Sequence, residues 1–277
     1  MTDNHRRPSA ADIDTSRPHT ARMYDYYLGG KDNFPPDAEA AEQVRALFPE
    51  IGTVALENRR FMHRATRTLA SEGGVRQFVD IGTGIPTEPN LHQVAQRMAP
   101  EARVVYVDHD PLVLDHADAL MHSTLEGRTR FVLGDLRHDA ILDHPELREV
   151  INLNEPVALS LVALLHFVPD AARPHQIVRD LVGRLCSGSF LVLSHVTHDP
   201  AIVGEQAAQA WKAVQEIYRR GGTPAQARTE ADIRTFFDGL DLIDPGLTLT
   251  HRWRPGPEHH GITAAESSML AAVAHKP

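Results

Sequence analysis

The chain has 277 residues and is 42% hydrophobic, enough to bury the core of one large domain, or of one domain with a smaller attachment. With 23% charged and 6% aromatic residues it has the composition of neither a disordered segment nor a fibre. A formal net charge of −9 argues against a nucleic-acid backbone as the main partner, and the single cysteine, Cys186, excludes an internal disulfide framework.

Residues 1–20 are polar, carry Pro8 and Pro18 and show no periodicity, which reads as a mobile leader. They hold no apolar run of the signal-peptide kind, and no later stretch reaches the ~18 apolar residues of a membrane span. A soluble, cytoplasmic protein is expected. Residues 21–72 read as a helical segment. Tyr24, Tyr26 and Tyr27 precede the turn signal Gly29-Gly30, and Pro35-Pro36 makes a second break. Asp37 is the expected N-cap of a helix through about Leu47. Another helix is expected from about Val54 to Ala70, with Asn58, Phe61, Met62, Ala65 and Leu69 on one face. Asn58 is a polar group on that apolar stripe, which a buried hydrogen bond explains as well as a functional role does.

From Arg76 onward, short apolar runs alternate with helices. Strand one, RQFVD, ends at Asp80 and leads through a glycine loop to a helix from about Glu88 to Met98. Strand two, RVVYVD, ends at Asp108 and precedes a helix from Pro111 to about Met121. Strand three, RFVLGD, ends near Asp135, with a helix between about His138 and Val150. Strand four is PVALSL, followed by VALLHFVPD, a helix from about Ala172 to Cys186, and strand five, FLVLSHV. Cys186 fits that helix as a buried small hydrophobe. This rhythm predicts an α/β, doubly wound, mostly parallel sheet over residues 73–277. A long helix from near Val203 to Arg220 follows, then one capped by Thr229 with Ile233, Phe236 and Phe237 on its apolar face. LTLTHRW and MLAAVAH are expected to form a hairpin, giving an antiparallel edge.

The strongest chemical signal is VDIGTGIPTEPN, residues 79–90. Gly82 and Gly84, with Thr83 between them, permit a tight turn and close approach of a ligand to the backbone, and the following helix would present unpaired N–H groups. Ligands of open α/β sheets sit at the carboxyl ends of strands, where this chain carries Asp80, Asp108 and Asp135. Asp108, with His109 beside it, suits a ribose diol, since a carboxylate can accept from both hydroxyls. Asp135 can accept from an exocyclic adenine amine while Leu136 packs on the ring. Asp80 would repel a pyrophosphate and attract an α-amino group or a sulfonium. At 4 Å and an effective dielectric near 20, that preference is roughly 4 kcal/mol before desolvation. Thr87 also replaces the third glycine of a dinucleotide fingerprint, so a nicotinamide cofactor is disfavoured.

The runs RPHTARMYDYYLGGKDNF, ENRRFM, DIGTGIPT, YVDHDP, GDLR, LLHFVPD and HRWRP together resemble a bacterial family of presumed S-adenosylmethionine-dependent methyltransferases, from about residue 17 to the end. The resemblance implies the class I methyltransferase (Rossmann-like) fold, seven strands with the last antiparallel, plus an N-terminal helical extension. It implies S-adenosylmethionine as cofactor, with Asp80, Gly82 and Gly84 in the first motif, Asp108 on the ribose, and Asp135 with Leu136 at the adenine. Pro86 stands where the class usually has a third glycine.

In methyl transfer the enzyme mainly positions the reactants, with a base needed for a protonated acceptor. His166 and Asp170, after strand four, are placed where an acceptor would meet the methyl group. His166 is the catalytic candidate, with capping or packing of the turn as its structural alternative, and His195 is a weaker one. Residues from about Arg22 to Phe34 are expected to fold over the strand ends as a lid. No metal is expected, since no H-E-x-x-H or similar spacing occurs and His259-His260 lie in a Pro/Gly loop. The expected partner is a small-molecule acceptor, with neither nucleic acid nor membrane. A cofactor-binding module without transferase activity would need the same three acids.

Overall fold

A computed structural model describes residues 14–113, 122–256 and 261–277. Most of the expected leader, most of the helix expected after Pro111, and His259-His260 lie outside these residues. The strands are β1 (Gln77–Ile81), β2 (Arg103–Asp108), β3 (Arg128–Leu133), β4 (Ala158–Val162), β5 (Phe190–Val196), β6 (Asp241–Leu242), β7 (Thr248–Leu249) and β8 (Met269–His275). Among the described residues, helices of two turns or more are α1 (Thr20–Tyr27), α2 (Pro35–Leu47), α3 (Ile51–Ser71), α4 (Leu91–Met98), α5 (Pro174–Gly183) and α6 (Pro200–Arg220).

One sheet runs in the order β3-β2-β1-β4-β5-β8-β6, with β7 also on β8. The first five strands pair in parallel, and β8 is antiparallel to β5. This is the class I arrangement that the resemblance implies, with eight strands among the described residues rather than seven because two short ones share the β8 edge. Order reverses between β1 and β4, which opens a crevice at their carboxyl ends. Alternate side chains reach opposite faces. Val79, Ile81, Val105, Val107, Leu159 and Leu161 enter one core, while Phe78, Val104, Tyr106 and Ala158 enter the other.

A third core joins the N-terminal helices to α6, through Met23, Tyr27, Val44, Ile51, Val54, Trp211, Val214 and Tyr218. Residues 14–19 are held rather than loose at their far end: the buried Arg22 guanidinium donates to Asp14 O at 3.0 Å and Arg17 O at 3.1 Å. The Gly-Gly turn closes on the buried Asp25 carboxylate, which accepts from Asp32 N at 2.9 Å and Asn33 Nδ2 at 3.1 Å. Gly30 is required there, because an added Cβ would lie 1.9 Å from Asp25 Oδ1.

Several elements depart from the expectations. Asp37 is not the N-cap of α2 but its third helical residue, accepting from Phe34 N at 2.8 Å and, from the preceding segment, His19 N at 2.7 Å. The helix expected at Glu88 begins at Leu91, since Pro89 disfavours helix at the residue before it and Gln93 Oε1 accepts from Asn90 N at 2.6 Å. The helix expected over 138–150 is reduced to two single turns, Ile141–Asp143 and Pro145–Arg148, because Pro145 has no N–H to continue the first. Only Thr248–Leu249 of LTLTHRW is strand. The chain then turns because Arg64 of α3 captures Thr250 O at 2.6 Å and Trp253 O at 2.8 Å, drawing Trp253 against Phe61.

Candidate functional site

A cavity of about 790 Å³ lies over the carboxyl ends of β1 and β2. Gly82 and Gly84 both take positive φ, 75° and 68°, as the turn after β1 requires. Thr83, between them, donates its hydroxyl to Asp80 O at 3.1 Å and Oδ2 at 3.2 Å. The Asp80 carboxyl is buried and pushed up to about 6 by desolvation, against the pull of the Ser160 and Thr83 hydroxyls and of Arg59. Asp108 accepts from Gly84 N at 2.8 Å on one oxygen and from Asp110 N at 3.0 Å on the other. Each oxygen keeps a lone pair for a further donor. The Gly84 N–H is therefore engaged by Asp108, and α4, starting at Leu91, does not line the cavity as the expected row of free donors would. Asp80, Gly82, Thr83, Gly84, Asp108 and His109 do share its wall.

The opposite wall comes from α1 and α3. His19 bridges to Asp110 at 3.1 Å and lies 5.3 Å from the His109 ring, so the N-terminal segment covers the end of β2. The Tyr24 hydroxyl donates to Ala55 O at 2.9 Å and accepts from Asn58 Nδ2 at 3.0 Å. Asn58 Oδ1 accepts from Ser194 Oγ at 2.5 Å, and that hydroxyl accepts from Ala163 N at 2.9 Å. Asn58 thus ties α1, α3, β5 and the loop after β4 together while facing the cavity. Tyr27 meets Tyr218 at 3.2 Å, whereas Tyr26 points outward to Glu42 at 2.7 Å.

Sequence reasoning missed Arg59. It lines the cavity, donates Nη2 to Pro89 O at 3.1 Å, and leaves Nε buried without a protein partner. The available signal was ENRRFM, two arginines on a helix whose other face is apolar.

The structure does not bring Asp135 and Leu136 into this wall. Arg137 claims both Asp135 oxygens, at 2.9 Å from Nε and 2.6 Å from Nη2, and holds the carboxyl down to about 2. Leu136 packs on the core. His166 belongs to an adjoining recess, against Phe167 and His195. His195 is wholly buried, with Nδ1 2.7 Å from Val196 O and Nε2 2.6 Å from Arg228 Nη1. Since an arginine only donates, Nε2 is the acceptor and the proton sits on Nδ1. That pairing occupies both nitrogens and leaves His195 no role as a base. Asp170 is exposed and paired to the same Arg228 at 2.7 Å, away from the cavity. Cys186 is half-buried, 3.7 Å from Ser189 Oγ. Among the described residues, no three His, Cys, Asp or Glu are grouped to hold a metal ion, and no helix is long and apolar enough to cross a membrane.

A family model described as S-adenosyl methyltransferase matches residues 6–277. Among solved structures, a DUF574 family protein from Streptomyces avermitilis is 45% identical, with a TM-score of 0.91, covering 96% of this chain and 100% of its own. A presumed methyltransferase from Thermobifida fusca is 34% identical, with a TM-score of 0.86, over 95% of this chain and 96% of its own. No curated protein matches at a significant level. With its cavity at the β1–β2 ends, its class I sheet and a family match over nearly its whole length, the chain belongs to the S-adenosyl methyltransferase family and is an S-adenosylmethionine-dependent methyltransferase.

Proposed function

We propose that the cavity over β1 and β2 holds S-adenosylmethionine and that the methyl acceptor is a small molecule, not a nucleic acid, in the cytoplasm. The observation that carries the placement is the pairing of opposite charges on opposite walls. Asp80 suits the α-amino group, and Arg59, with its unpartnered Nε, suits the α-carboxylate of the methionine end. Asp108 keeps two lone pairs for the ribose hydroxyls. The adenine end is assigned to the His109 side, toward Asp135 and Leu136, where the amine competes with Arg137 for the Asp135 carboxylate.

Calorimetry tests this directly. The protein is expected to bind S-adenosylmethionine and S-adenosylhomocysteine far more tightly than NAD. Asp108→Ala should weaken S-adenosylmethionine by about 1.5–3 kcal/mol, the range for hydrogen bonds to a charged group. Tighter binding of NAD, or an unchanged affinity in a folded Asp108→Ala variant, would remove the assignment.

Residues 22–34 are assigned the role of a lid on the same cavity. Tyr24 contributes to the wall, and its neighbours His19, Thr20 and Ala21 extend it. Amide exchange across 22–34 should slow when S-adenosylhomocysteine is added. Protection confined to Gly82–Thr87 would make the segment fixed scaffold.

A further inference from the structure

Beside the cofactor cavity lies a second recess of about 560 Å³, and the two share Thr20, Tyr24, Ala163 and Phe167 in their walls. Its lining comes from α1, the first turns of α3, α6 and the loop after β4. Among the described residues, those that line it include no Asp, Glu, Lys or Arg. It is bounded by Tyr27, Trp211, Tyr218 and Met269, side chains that would bury a flat apolar body well. Two polar atoms are buried here without a protein partner, Trp211 Nε1 and His166 Nδ1. Trp211 and His166 are 4% and 7% exposed. A buried indole N–H ordinarily finds an acceptor, and leaving it unpaired is unfavourable.

We propose that this recess is the methyl-acceptor site and that its substrate is an uncharged, planar aromatic molecule carrying a hydroxyl. The ring lies among the aromatic walls, while the hydroxyl side meets Trp211 Nε1–H and His166 Nδ1. The proposal rests on the assignment of S-adenosylmethionine to the adjoining cavity. A charged substrate would lose its hydration with no counter-ion to replace it. In the transfer, a lone pair of the hydroxyl oxygen forms the bond to the methyl carbon. The carbon–sulfur bond breaks with its electron pair going to sulfur, so the sulfonium becomes a neutral thioether. The hydroxyl proton passes to His166 Nδ1 and thence to solvent. One positive charge is present before the step and one after it. Burial and the Arg228 guanidinium push His166 down to about 3, so the imidazole enters the step neutral, with a lone pair to accept the proton.

The test uses full-length protein saturated with S-adenosylhomocysteine, titrated calorimetrically with 2-naphthol and with 2-naphthalenesulfonate. Saturable binding of 2-naphthol is expected, with the sulfonate at least roughly tenfold weaker because its charge goes unpaired. Trp211→Phe keeps a ring and removes the donor, and should weaken 2-naphthol by roughly 3- to 10-fold. Ala227→Leu should fill the recess and abolish 2-naphthol binding. Both variants should hold S-adenosylhomocysteine within about twofold, since neither side chain lines its cavity. Equal affinity for the two naphthalenes in the unmodified protein would overturn the proposal, whatever the fate of the variants. So would unchanged 2-naphthol binding in both. Failure of the unmodified protein to bind S-adenosylhomocysteine would instead overturn the cofactor assignment, and this proposal with it.

Discussion

Replacing Asp80 by Asn is expected to weaken S-adenosylmethionine binding by about 1.5–3 kcal/mol, or roughly 10- to 150-fold, the worth of hydrogen bonds to a charged group. The same variant should lose a pH dependence that the unmodified protein displays. Burial pushes Asp80 up to about 6, so in the free protein it is largely neutral below that pH and ionised above it. A cationic ligand needs the ionised form. Affinity should therefore be flat above pH 6 and fall by up to about tenfold per pH unit below it, where binding must first remove a proton. Arg59, Thr83, Ser160 and Asp108 act on this carboxyl, and all of them remain in Asp80→Asn.

Stability moves the other way. A carboxyl whose folded value is raised favours the fold most when protonated, below its unfolded value near 4. That contribution is lost as pH rises through about 6. At neutral pH Asp80→Asn should thus leave the melting temperature unchanged or raise it, while binding collapses. Calorimetry from pH 5 to 8 with parallel melting curves separates the two. A variant that keeps the full slope below pH 6 would show that another group carries the titration.

The parts of this molecule that were legible in the sequence are those that local pattern encodes. Strands β1, β2, β5 and β8 are read from short apolar runs, because burial on both faces leaves little freedom of composition. Asp80 and Asp108 are legible because a carboxylate at the end of such a strand has no packing reason to be there. What escaped depends on contacts far apart in the chain. Arg59 reads as one more helix-surface arginine until α3 is laid along the cavity. The second recess needs α1 and α6 together, and nothing in either stretch names the other. The turn at Thr250 is imposed by Arg64, 186 residues earlier. Asp135 lies outside the cavity wall for the opposite reason. Its competitor, Arg137, stands two residues away, a local pairing overlooked in favour of the motif.

Arg228→Ala is expected to destabilise the fold by about 3–5 kcal/mol, since three buried acceptors lose their donor at a cost of about 1–3 kcal/mol each. Arg228 is 2% exposed and its guanidinium joins three segments. Nη1 donates to Leu165 O at 3.1 Å and His195 Nε2 at 2.6 Å, while Nη2 donates to Val168 O at 3.0 Å and Asp170 Oδ1 at 2.7 Å. Truncation would leave two buried carbonyls and one ring nitrogen without a donor, and would empty the space over the Phe236 ring, 5.6 Å away. The Asp170 bond adds little by itself, because that carboxylate is 65% exposed and solvent screens it. Asp170→Ala should accordingly change stability by no more than about 1 kcal/mol. At about 2–4 °C per kcal/mol for a chain of this size, Arg228→Ala should lower the melting temperature by roughly 6–20 °C. Below that temperature S-adenosylhomocysteine affinity should be little changed, since Arg228 does not line the cofactor cavity. Similar melting temperatures for Arg228→Ala and Asp170→Ala would mean that the interaction is only a surface ion pair. A large gap between them would make Arg228, held with His195 rather than through Asp170, the support of the loop after β4, which carries His166 into the second recess.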